Sequence, residues 1–477
     1  MTGRNMLVIM TDEQTRNAAG CYGHPIVSTP NIDRLASRGT RFTQAYTPSP
    51  ICVPARASFA TGTYVHQNGC WSNAEAYAGQ IEGWGHRLLE QGRDCVSVGK
   101  LHYRSAGDPN GFSEEINPLY IHNGLGFVHG LLRRQHLFFD GVEEFAEKIG
   151  PGEDPYTEYD RGVCEKAKAW LKQDAAGRKD KPWTLFVSFL RPHYPMTCPR
   201  EFYGLYPLDR VPRRRYAGRE SEYAHPVLAA MRHYANYDDY FEDDHQRQVA
   251  RASYLGLCSF VDDLIGQVLG ALEDSGQAGE TDILFTSDHG EMQGDHGFWT
   301  KMVMYEEAVG VPMILSGPGA PKGVCNTPVT LVDVHKTILE GAGVPLTEED
   351  EIRPGRSLYE LARAGDDRER VAFSEYHDCG AITGMFMIRY RNWKYVYYPG
   401  FPPQLFDMDA DMYENRDLAH SADHRDVIDL CHAKLLEVCD PGAVNARCFD
   451  DQAAVIERLG GVKGILGIEP YDYTPVE

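Results

Sequence analysis

Six side chains that can bind metals or move protons come directly after short apolar runs in this chain. They are Asp12, Lys100, His102, His193, Asp288 and His289. Apolar runs that end in turn residues are typical of buried parallel strands, and open α/β sheets bind ligands beyond the carboxyl ends of their strands. An aspartate after a strand is often only a helix cap, and a histidine is often only a surface group. Six such residues, each directly after an apolar run, predict one shared site.

Asp12, Asp288 and His289 form a set of ligands that suits a hard divalent cation. Two carboxylates and one imidazole are compatible with Ca²⁺, Mn²⁺ or Mg²⁺; the nitrogen favours Mn²⁺, and the carboxylates are compatible with Ca²⁺. Two carboxylates are costly to bury side by side without a cation. We therefore expect one divalent metal here, with Glu13 and Gln14 as weaker candidates for further oxygen ligands.

Three basic residues, Arg56, Lys100 and Lys301, are candidate ligands for an oxyanion. A tetrahedral anion that approaches two carboxylates needs compensating charge from a metal and from basic side chains. Lys100 and His102 are two residues apart, so in an extended segment both side chains point to the same face. For Lys301 taken alone, a surface lysine is the competing interpretation.

The formal net charge is −22, from 47 Lys and Arg against 69 Asp and Glu. Because phosphate binding requires an excess of basic residues, this balance argues against nucleic acid as a partner. The 12 cysteines contain no C-x-x-C pair, which indicates reduced thiols and neither a zinc site nor a disulfide framework. An apolar run begins already at Met6, which leaves no room for a signal peptide, and no apolar stretch approaches about 20 residues. We therefore expect a cytoplasmic protein without a membrane partner.

The elements that must position these residues are short strands and helices in alternation. Apolar runs that predict buried parallel strands occur at residues 7–10, 96–98, 185–190, 283–285 and 311–315. Residues 252–274 have helical spacing, with Asp262 and Asp263 on a solvated face. The alternation predicts a doubly wound α/β sheet with helices on both faces.

The character of the sequence changes from about Arg353, and a charged run follows at residues 368–370. This predicts a catalytic α/β domain over residues 1–368 and a C-terminal α+β subdomain over residues 369–477. Strand-like runs at 385–389, 393–398 and 404–406 predict a small antiparallel sheet in the second part. The chain ends in a tail rich in Pro and Tyr. The predicted fold class is therefore α/β, with a smaller antiparallel sheet domain.

The run from Cys52 to Arg56 contains the pattern C-x-P-x-R. On its own it is equally consistent with a small buried thiol before a proline turn. Three further runs stand beside it: TPNIDRLA at 29–36, VGKLH at 98–102 and TSDHGE at 286–291. With these motifs the chain resembles the type I sulfatases of the alkaline-phosphatase superfamily along nearly its whole length. The pairs Asp12-Glu13 and Asp288-His289 look most like those of the choline sulfatase and phosphonate monoester hydrolase branch.

The resemblance implies an alkaline-phosphatase-like sheet and a cofactor made from the chain itself. Cys52 would be oxidised by a formylglycine-generating enzyme, and the resulting formylglycine would be the nucleophile. It would also bind the metal, together with Asp12, Asp288 and His289.

The same resemblance implies a role for each of the other site residues. Arg56 would orient the hydrated aldehyde, and His102 would take a proton from the covalent ester. The residues that would contact the transferred oxyanion or assist the leaving oxygen are Asn73, Lys100, His193 and Lys301.

We therefore expect a metal-dependent sulfuric-ester hydrolase, a sulfatase, that acts on a small anionic ester. A phosphonate monoester or phosphodiester hydrolase with the same site is the alternative, and a relative that binds an anion without turnover is a third hypothesis. We also expect a homo-oligomer. Aromatic residues near the motifs would favour an aryl or quaternary ammonium leaving group; they are Trp71, Tyr103, His122, Tyr194 and Trp299.

Overall fold

The computed structural model describes residues 3–135, 138–139, 141–177, 181–215, 225–471 and 473–476. Within these residues the strands form four sheets. In chain order the strands are β1 (Asn5–Asp12), β2 (Thr40–Phe42), β3 (Ala45–Tyr46), β4 (Asp94–Lys100), β5 (Glu114–Leu119), β6 (Ile149–Pro151), β7 (Trp183–Pro192), β8 (Met196–Cys198), β9 (Thr281–Ser287), β10 (Met313–Ser316), β11 (Gly323–Cys325), β12 (Val329–Thr330), β13 (Ala372–Tyr376), β14 (Met385–Tyr390), β15 (Trp393–Tyr397) and β16 (Gln404–Asp407). The helices are α1 (Pro30–Arg38), α2 (Cys52–Thr61), α3 (Val65–Asn68), α4 (Trp84–Glu90), α5 (Glu144–Glu147), α6 (Pro155–Gln173), α7 (Arg200–Tyr203), α8 (Pro226–Tyr234), α9 (Asp244–Asp274), α10 (Glu306–Val309), α11 (Asp333–Ala342), α12 (Glu348–Ile352), α13 (Leu358–Ala364), α14 (Arg425–Val438), α15 (Pro441–Arg458) and α16 (Gly461–Ile465).

The largest sheet has eight strands in the order β11-β2-β10-β9-β1-β7-β4-β5. β1 pairs in parallel with β7 and β9, and β4 pairs in parallel with β5 and β7. The strands predicted at residues 7–10, 96–98, 185–190 and 283–285 are therefore confirmed. The run at 311–315 overlaps β10, but β10 is antiparallel to β9, so its predicted direction was wrong. Between β9 and β10 the chain forms only short helical segments, so it lacks the long crossover helix that usually joins parallel strands.

The two faces of β1 pack against different layers of helices. Leu7 and Ile9 lie in an apolar cluster with residues of α1, α6 and α9. Val8 and Met10 lie in another, with residues of α4, α11 and α13. Because successive side chains of a strand point to opposite faces, both faces of the sheet are covered, as a doubly wound fold requires. Each fully buried Leu or Ile stabilises this arrangement by about 1.5–3 kcal/mol.

Helix α2 begins at Cys52, beside the carboxyl edge of the sheet. Ile51 before it is extended, with φ −160° and ψ 146°. Pro54 lies in the first turn, where its missing N–H removes no helical hydrogen bond. The helix ends at Thr61, and the φ of 68° at the next residue, Gly62, lets the Gly62 N–H donate to the Ser58 carbonyl. All of α2 is buried, so Cys52 is held on a rigid element.

Helix α9 is a core helix and is longer than predicted. It spans Asp244–Asp274 because Asp243 caps its N-terminus by accepting a hydrogen bond from the Gln246 N–H at 2.8 Å. By length and composition α9 is apolar enough to cross a membrane, but 78% of its most apolar window is buried inside the protein. Its apolar side chains therefore face the sheet and its neighbouring helices.

Asp262 on α9 was predicted to be solvated, and this was wrong. The side chain is buried and accepts hydrogen bonds from the backbone N–H groups of Asn31 at 3.1 Å and Ile32 at 2.8 Å. It thus caps α1 from the neighbouring helix, a tertiary contact that helical spacing cannot reveal. Asp263, the next residue, is exposed as expected.

The four-stranded sheet has the order β13-β14-β15-β16 and is antiparallel throughout. β14, β15 and β16 confirm the three predicted strands, whereas β13 was not predicted. Glu375 on β13 accepts a hydrogen bond from the His66 N–H at 2.8 Å, and its own N–H donates to the Pro48 carbonyl at 2.9 Å. The second sheet is therefore joined directly to the segment that precedes Cys52. The domain boundary at residue 368 stays a prediction.

Replacing the cap residue Asp262 by Ala should lower the free energy of unfolding by about 2 kcal/mol, because two backbone donors of α1 lose their acceptor. The matched control is Asp263→Ala on the same helix, which should change it by less than about 0.5 kcal/mol. Urea denaturation followed by circular dichroism measures both. Equal effects of the two substitutions would contradict the capping role.

Candidate active site

Four side chains meet at the carboxyl edge of the central sheet. Asp12 ends β1, Asp288 and His289 follow β9, and Cys52 begins α2. One ligand atom from each of the four lies within 4.8 Å of the other three. The side chains of Asp12, Asp288 and His289 are fully buried, and Cys52 is 2% exposed. The four residues predicted to bind a metal are therefore together.

The hydrogen bonds of His289 leave one ring nitrogen free to act as a ligand. Nδ1 lies 3.1 Å from the Gly290 carbonyl oxygen, so Nδ1 carries the proton and donates to it. Nε2 then presents its lone pair to the cluster, 3.1 Å from Cys52 Sγ. Metal-binding histidines are usually oriented by such a contact to their second nitrogen. Two carboxylates and this imidazole therefore fit a divalent cation.

Arg56 joins the two buried carboxylates. Its Nε donates to Asp288 Oδ2 at 2.8 Å, and its Nη2 donates to Asp12 Oδ2 at 2.9 Å. Its Nη1 donates to the Lys100 carbonyl at 3.0 Å and to Ser188 Oγ at 2.9 Å. Each guanidinium nitrogen thus has a partner, so the side chain is fixed and its charge offsets the repulsion between the two acids.

The charges around Asp12 and Cys52 shift their pKa values in opposite directions. Burial alone would raise the pKa of Asp12, but Lys100 and Arg56 hold it well below its ordinary value. Lys100 Nζ lies 2.5 Å from Asp12 Oδ2. Burial, and then the charge of Asp12, raise the pKa of the Cys52 thiol to about 12. At neutral pH the thiol is therefore protonated and a weak nucleophile.

Lys301 and His193 form a second polar group beside the cluster. Lys301 Nζ donates to Glu13 Oε2 at 2.8 Å and to His193 Nε2 at 2.7 Å. His193 Nδ1 lies 2.6 Å from the Tyr194 carbonyl oxygen, so Nδ1 carries the ring proton. Burial, and then Lys301, hold the pKa of His193 well below its ordinary value, which makes the ring neutral at neutral pH. The surface-lysine interpretation of Lys301 was wrong, since the residue is only 6% exposed.

The two weaker candidates for metal ligands differ. Glu13 belongs to a neighbouring group with Asp12 and His193. Its φ of 66° is in the left-handed region, which costs a non-glycine residue free energy, and its N–H donates to Asp288 Oδ1 at 3.1 Å. The Gln14 side chain instead bonds to Thr11 and to the Ala18 carbonyl. Glu13 therefore supports the cluster, and Gln14 supports the loop behind it.

His102 is buried with its ring directed to the end of the chain. Nε2 lies 2.8 Å from Thr474 Oγ1, and Nδ1 has no hydrogen-bond partner among the described residues. Burial, and then the charge of Lys100, hold the pKa of His102 well below its ordinary value. The ring is therefore neutral at neutral pH and able to accept a proton.

A cavity of about 50 Å³ opens beside Cys52. We call it the site cavity; its wall includes the polar residues Cys52, Asn73, Lys100, His102, His193 and Lys301 and the aromatic residues Phe127, Phe139, Tyr156, Tyr194, Tyr237, Tyr471 and Tyr473. Of the aromatic residues proposed from the sequence, this wall contains Tyr194 alone. Trp71 and Trp299 lie elsewhere, where their indole N–H groups donate to Asp451 and Asp238. Proximity to a motif in sequence therefore did not predict the wall.

The described part of the C-terminal tail, residues 469–471 and 473–476, closes one side of the site cavity. The Tyr156 hydroxyl donates to the Thr474 carbonyl at 2.7 Å, and the Tyr473 and Tyr156 rings are 5.2 Å apart. The Tyr471 ring lies 5.9 Å from that of Phe127. Sequence reasoning missed these contacts because no motif marks them, although the Tyr and Pro content of the tail was a weak signal.

Comparison with protein families gives two matches. The model described as Sulfatase matches residues 4–344, and the model described as N-sulphoglucosamine sulphohydrolase, C-terminal, matches residues 294–440. The first match covers more than half of the chain and contains the four clustered residues Asp12, Cys52, Asp288 and His289.

Comparison with individual proteins agrees with the family match. The chain is 30% identical to a choline-sulfatase of Rhizobium meliloti, over 88% of this chain and 83% of that protein. It is 30% identical to arylsulfatase K of Danio rerio, over 87% of this chain and 80% of that protein. The fold is similar to that of the phosphonate monoester hydrolase of Agrobacterium radiobacter, with a TM-score of 0.74 at 24% identity over 91% and 95% of the two chains.

Removing residues 469–477 should expose Cys52, because the tail covers the cavity that contains it. In protein whose Cys52 is an unmodified thiol, the rate of maleimide labelling at this position should rise at least about tenfold. Labelling is measured by peptide mass mapping over time.

The half-buried Cys21 provides an internal control, and its labelling rate should not change. The truncated chain keeps the contacts of His129 with the Ile465 and Ile468 carbonyls, so α16 should stay in place. Thr474→Val is the matched full-length variant and should label slowly. An unchanged Cys52 rate in the truncated chain would show that the tail does not control access.

Proposed function

This chain belongs to the sulfatase family, and on that premise we propose that it hydrolyses a small sulfate ester at the site that contains Cys52. The observation that carries the proposal is the position of Cys52. It lies among Asp12, Asp288 and His289, at one end of a cavity whose wall supplies cationic and amide donors.

The four-residue cluster fits a divalent cation, which when bound would balance the two buried carboxylates and polarise a sulfuryl oxygen. We propose Mn²⁺ or Ca²⁺, since the cluster combines an imidazole with carboxylates. A formylglycine in place of Cys52 would supply a hydrated aldehyde as the nucleophile, which a thiol with a pKa of about 12 does not replace.

The donors around the site cavity favour a sulfate ester over the alternative substrates. Lys100 and Lys301 bring positive charge to the cavity, and Asn73 brings a side-chain amide. These three donors match the three non-bridging oxygens of a sulfuryl group. A phosphonate monoester and a phosphodiester each have only two such oxygens, because a carbon or a second ester oxygen takes the third place.

The two histidines have distinct roles in this proposal. His102 is neutral, and its Nδ1 is the atom that accepts a proton during the reaction. His193 accepts the hydrogen bond of Lys301 and so holds that ammonium group in the cavity wall. Lys301 then stabilises the negative charge on one of the three non-bridging sulfuryl oxygens.

The aromatic part of the wall determines the leaving group. Tyr156, Tyr194 and Tyr473 are near one another, and the described cavity is small. Such a wall suits a compact group that stacks on aromatic rings or contacts them as a cation, which means a small aryl or a quaternary ammonium alcohol.

Three further parts of the proposal concern the protein in the cell. Formylglycine formation requires a formylglycine-generating enzyme as a partner. All 12 cysteines are free, which supports a reducing compartment, and we propose the cytoplasm. Exposed apolar side chains near the C-terminus support a homo-oligomer; among them are Leu436 on α14 and Leu466 directly after α16, each 51% exposed.

With formylglycine verified by mass at position 52, kcat/KM for sulfate esters should exceed that for a phosphonate monoester and a phosphodiester with the same aryl leaving group. The reason is the match of three donors to three oxygens. Replacing Asn73 by Ala should narrow this preference by about tenfold or more, since one donor is lost. Initial rates measured in parallel on the three substrates, and on choline sulfate, give the kcat/KM values for this comparison.

Cys52→Ala is the blank for every substrate in this panel. A higher kcat/KM for the phosphonate or the diester would identify the alternative hydrolase, with the same residues in the site. No turnover above the blank would support the anion-binding relative instead.

Adding Mn²⁺ to chelator-treated protein should raise its melting temperature. At one hundred times Kd the stabilisation is about 2.7 kcal/mol. Asp288→Asn should lose most of this effect because it removes a ligand charge, whereas the exposed Asp263→Asn should keep it. Mn²⁺ should bind more tightly than Mg²⁺, since a nitrogen ligand favours it. Thermal denaturation with each metal measures both effects, and equal shifts in the two variants would contradict the assigned cluster.

A further inference from the structure

Asp378 lies on the loop that follows β13 and is fully buried. Its Oδ2 accepts a hydrogen bond from the Asn73 backbone N–H at 2.7 Å, and its Oδ1 accepts one from the Cys379 N–H at 2.7 Å. A carboxylate that accepts two backbone donors at these distances makes strong, charge-assisted hydrogen bonds. The loop that follows β13 thus contacts Asn73, a residue of the cavity wall, through the side chain of Asp378.

Asn73 passes this restraint on to the start of α2. Its side-chain Oδ1 accepts a hydrogen bond from the Val53 N–H at 3.1 Å, directly after Cys52. The Val53 N–H is one of the donors at a helix N-terminus that has no partner within the helix. Because the amide oxygen is used in this way, the amide nitrogen Nδ2 is the atom left to donate toward the cavity. The Asn73 carbonyl also accepts from the Phe127 N–H at 3.2 Å, so the loop is held on two sides.

We propose that Asp378 is a positioning residue for the reaction, acting through Asn73 on the oxyanion and on the start of α2. The inference rests on the proposed function, because Asn73 is assigned there to the oxyanion. Asp378 itself does not touch the substrate. Its carboxylate fixes the backbone of Asn73, and this fixes both the direction of the Nδ2 donor and the position of Cys52.

The surroundings of Asp378 fit this role. Burial raises its pKa to about 6, against the two backbone hydrogen bonds and the charge of Arg133, so the carboxylate is ionised at neutral pH. A Cβ added at Gly130 would lie 2.6 Å from Asp378 Oδ1, so the chain packs tightly against it. In Asp378→Asn an amide N–H group would replace one of the two acceptors and would face a backbone N–H.

The test is a double-mutant cycle with Asp378→Asn and Asn73→Ala in metal-loaded protein that carries formylglycine. Asp378→Asn should lower kcat/KM by about tenfold or more, and Asn73→Ala by about a hundredfold. If Asp378 acts through Asn73, the double variant should be no worse than Asn73→Ala alone. Effects of the two substitutions that multiply would overturn the proposal.

A second readout does not depend on turnover. The Kd for inorganic sulfate, measured by calorimetry on each variant, should weaken for Asp378→Asn and Asn73→Ala and show the same non-additivity. Wild-type protein that binds sulfate but hydrolyses no ester would count against the proposed function, while the cycle in Kd would still test Asp378.

The matched control is Asp262→Asn, which also replaces a buried aspartate that accepts two backbone N–H groups, but one that caps α1 and does not line the site cavity. Its melting temperature should fall while its kcat/KM stays within about twofold. A kcat/KM for Asp378→Asn within that same range would overturn the proposal. If Asp378→Asn does not fold, Gly130→Ala replaces it, because the added methyl group displaces the carboxylate without removing it, and the same outcomes apply.

Discussion

Two carboxylates, Asp12 and Asp288, are buried side by side at the ends of adjacent strands, and the rest of the site compensates for their charge. Arg56 bridges them and Lys100 pairs with Asp12, which brings two cations to the edge of the sheet. A divalent metal would be a third. Because removing one partner of such a buried network leaves an unpaired charge, each residue depends on the others. The helix that supplies Arg56 also supplies Cys52. The position of α2 therefore determines both how the charge of the two carboxylates is compensated and where Cys52 lies.

The second sheet is part of this arrangement. Through Glu375 it contacts the segment before Cys52, and through Asp378 it holds Asn73. The central sheet and α2 therefore provide the four clustered residues Asp12, Cys52, Asp288 and His289, and the loop after β13 of the smaller sheet holds Asn73 in the cavity wall. A ligand site between two packed units is a common location for binding pockets, since each unit can vary its own wall.

Much of the site was predictable because strand ends have a simple sequence signal. Asp12, Lys100 and Asp288 follow or end apolar runs, and parallel pairing of those strands brings them together. The predictions that were wrong concern features that tertiary contacts determine. Its helical spacing predicts that Asp262 is a surface residue, yet it caps α1. The direction of β10 depends on the path of the segment that joins it to β9. Neither Thr474 nor Asp378 belongs to a motif, so their contacts with His102 and Asn73 could be found only from the three-dimensional structure.

The burial of Cys52 also limits the time during which its side chain is accessible. The thiol is 2% exposed in the folded chain, and the residue that closes the cavity over His102, Thr474, comes far later in the sequence than Cys52. The strands that flank β1 also come late, since β9 ends only at Ser287. At roughly 5–20 residues per second, the ribosome needs on the order of 20 to 90 s to extend the chain from Cys52 to Thr474. Cys52 is therefore most accessible in the growing chain, before the residues that bury it have been made and have folded.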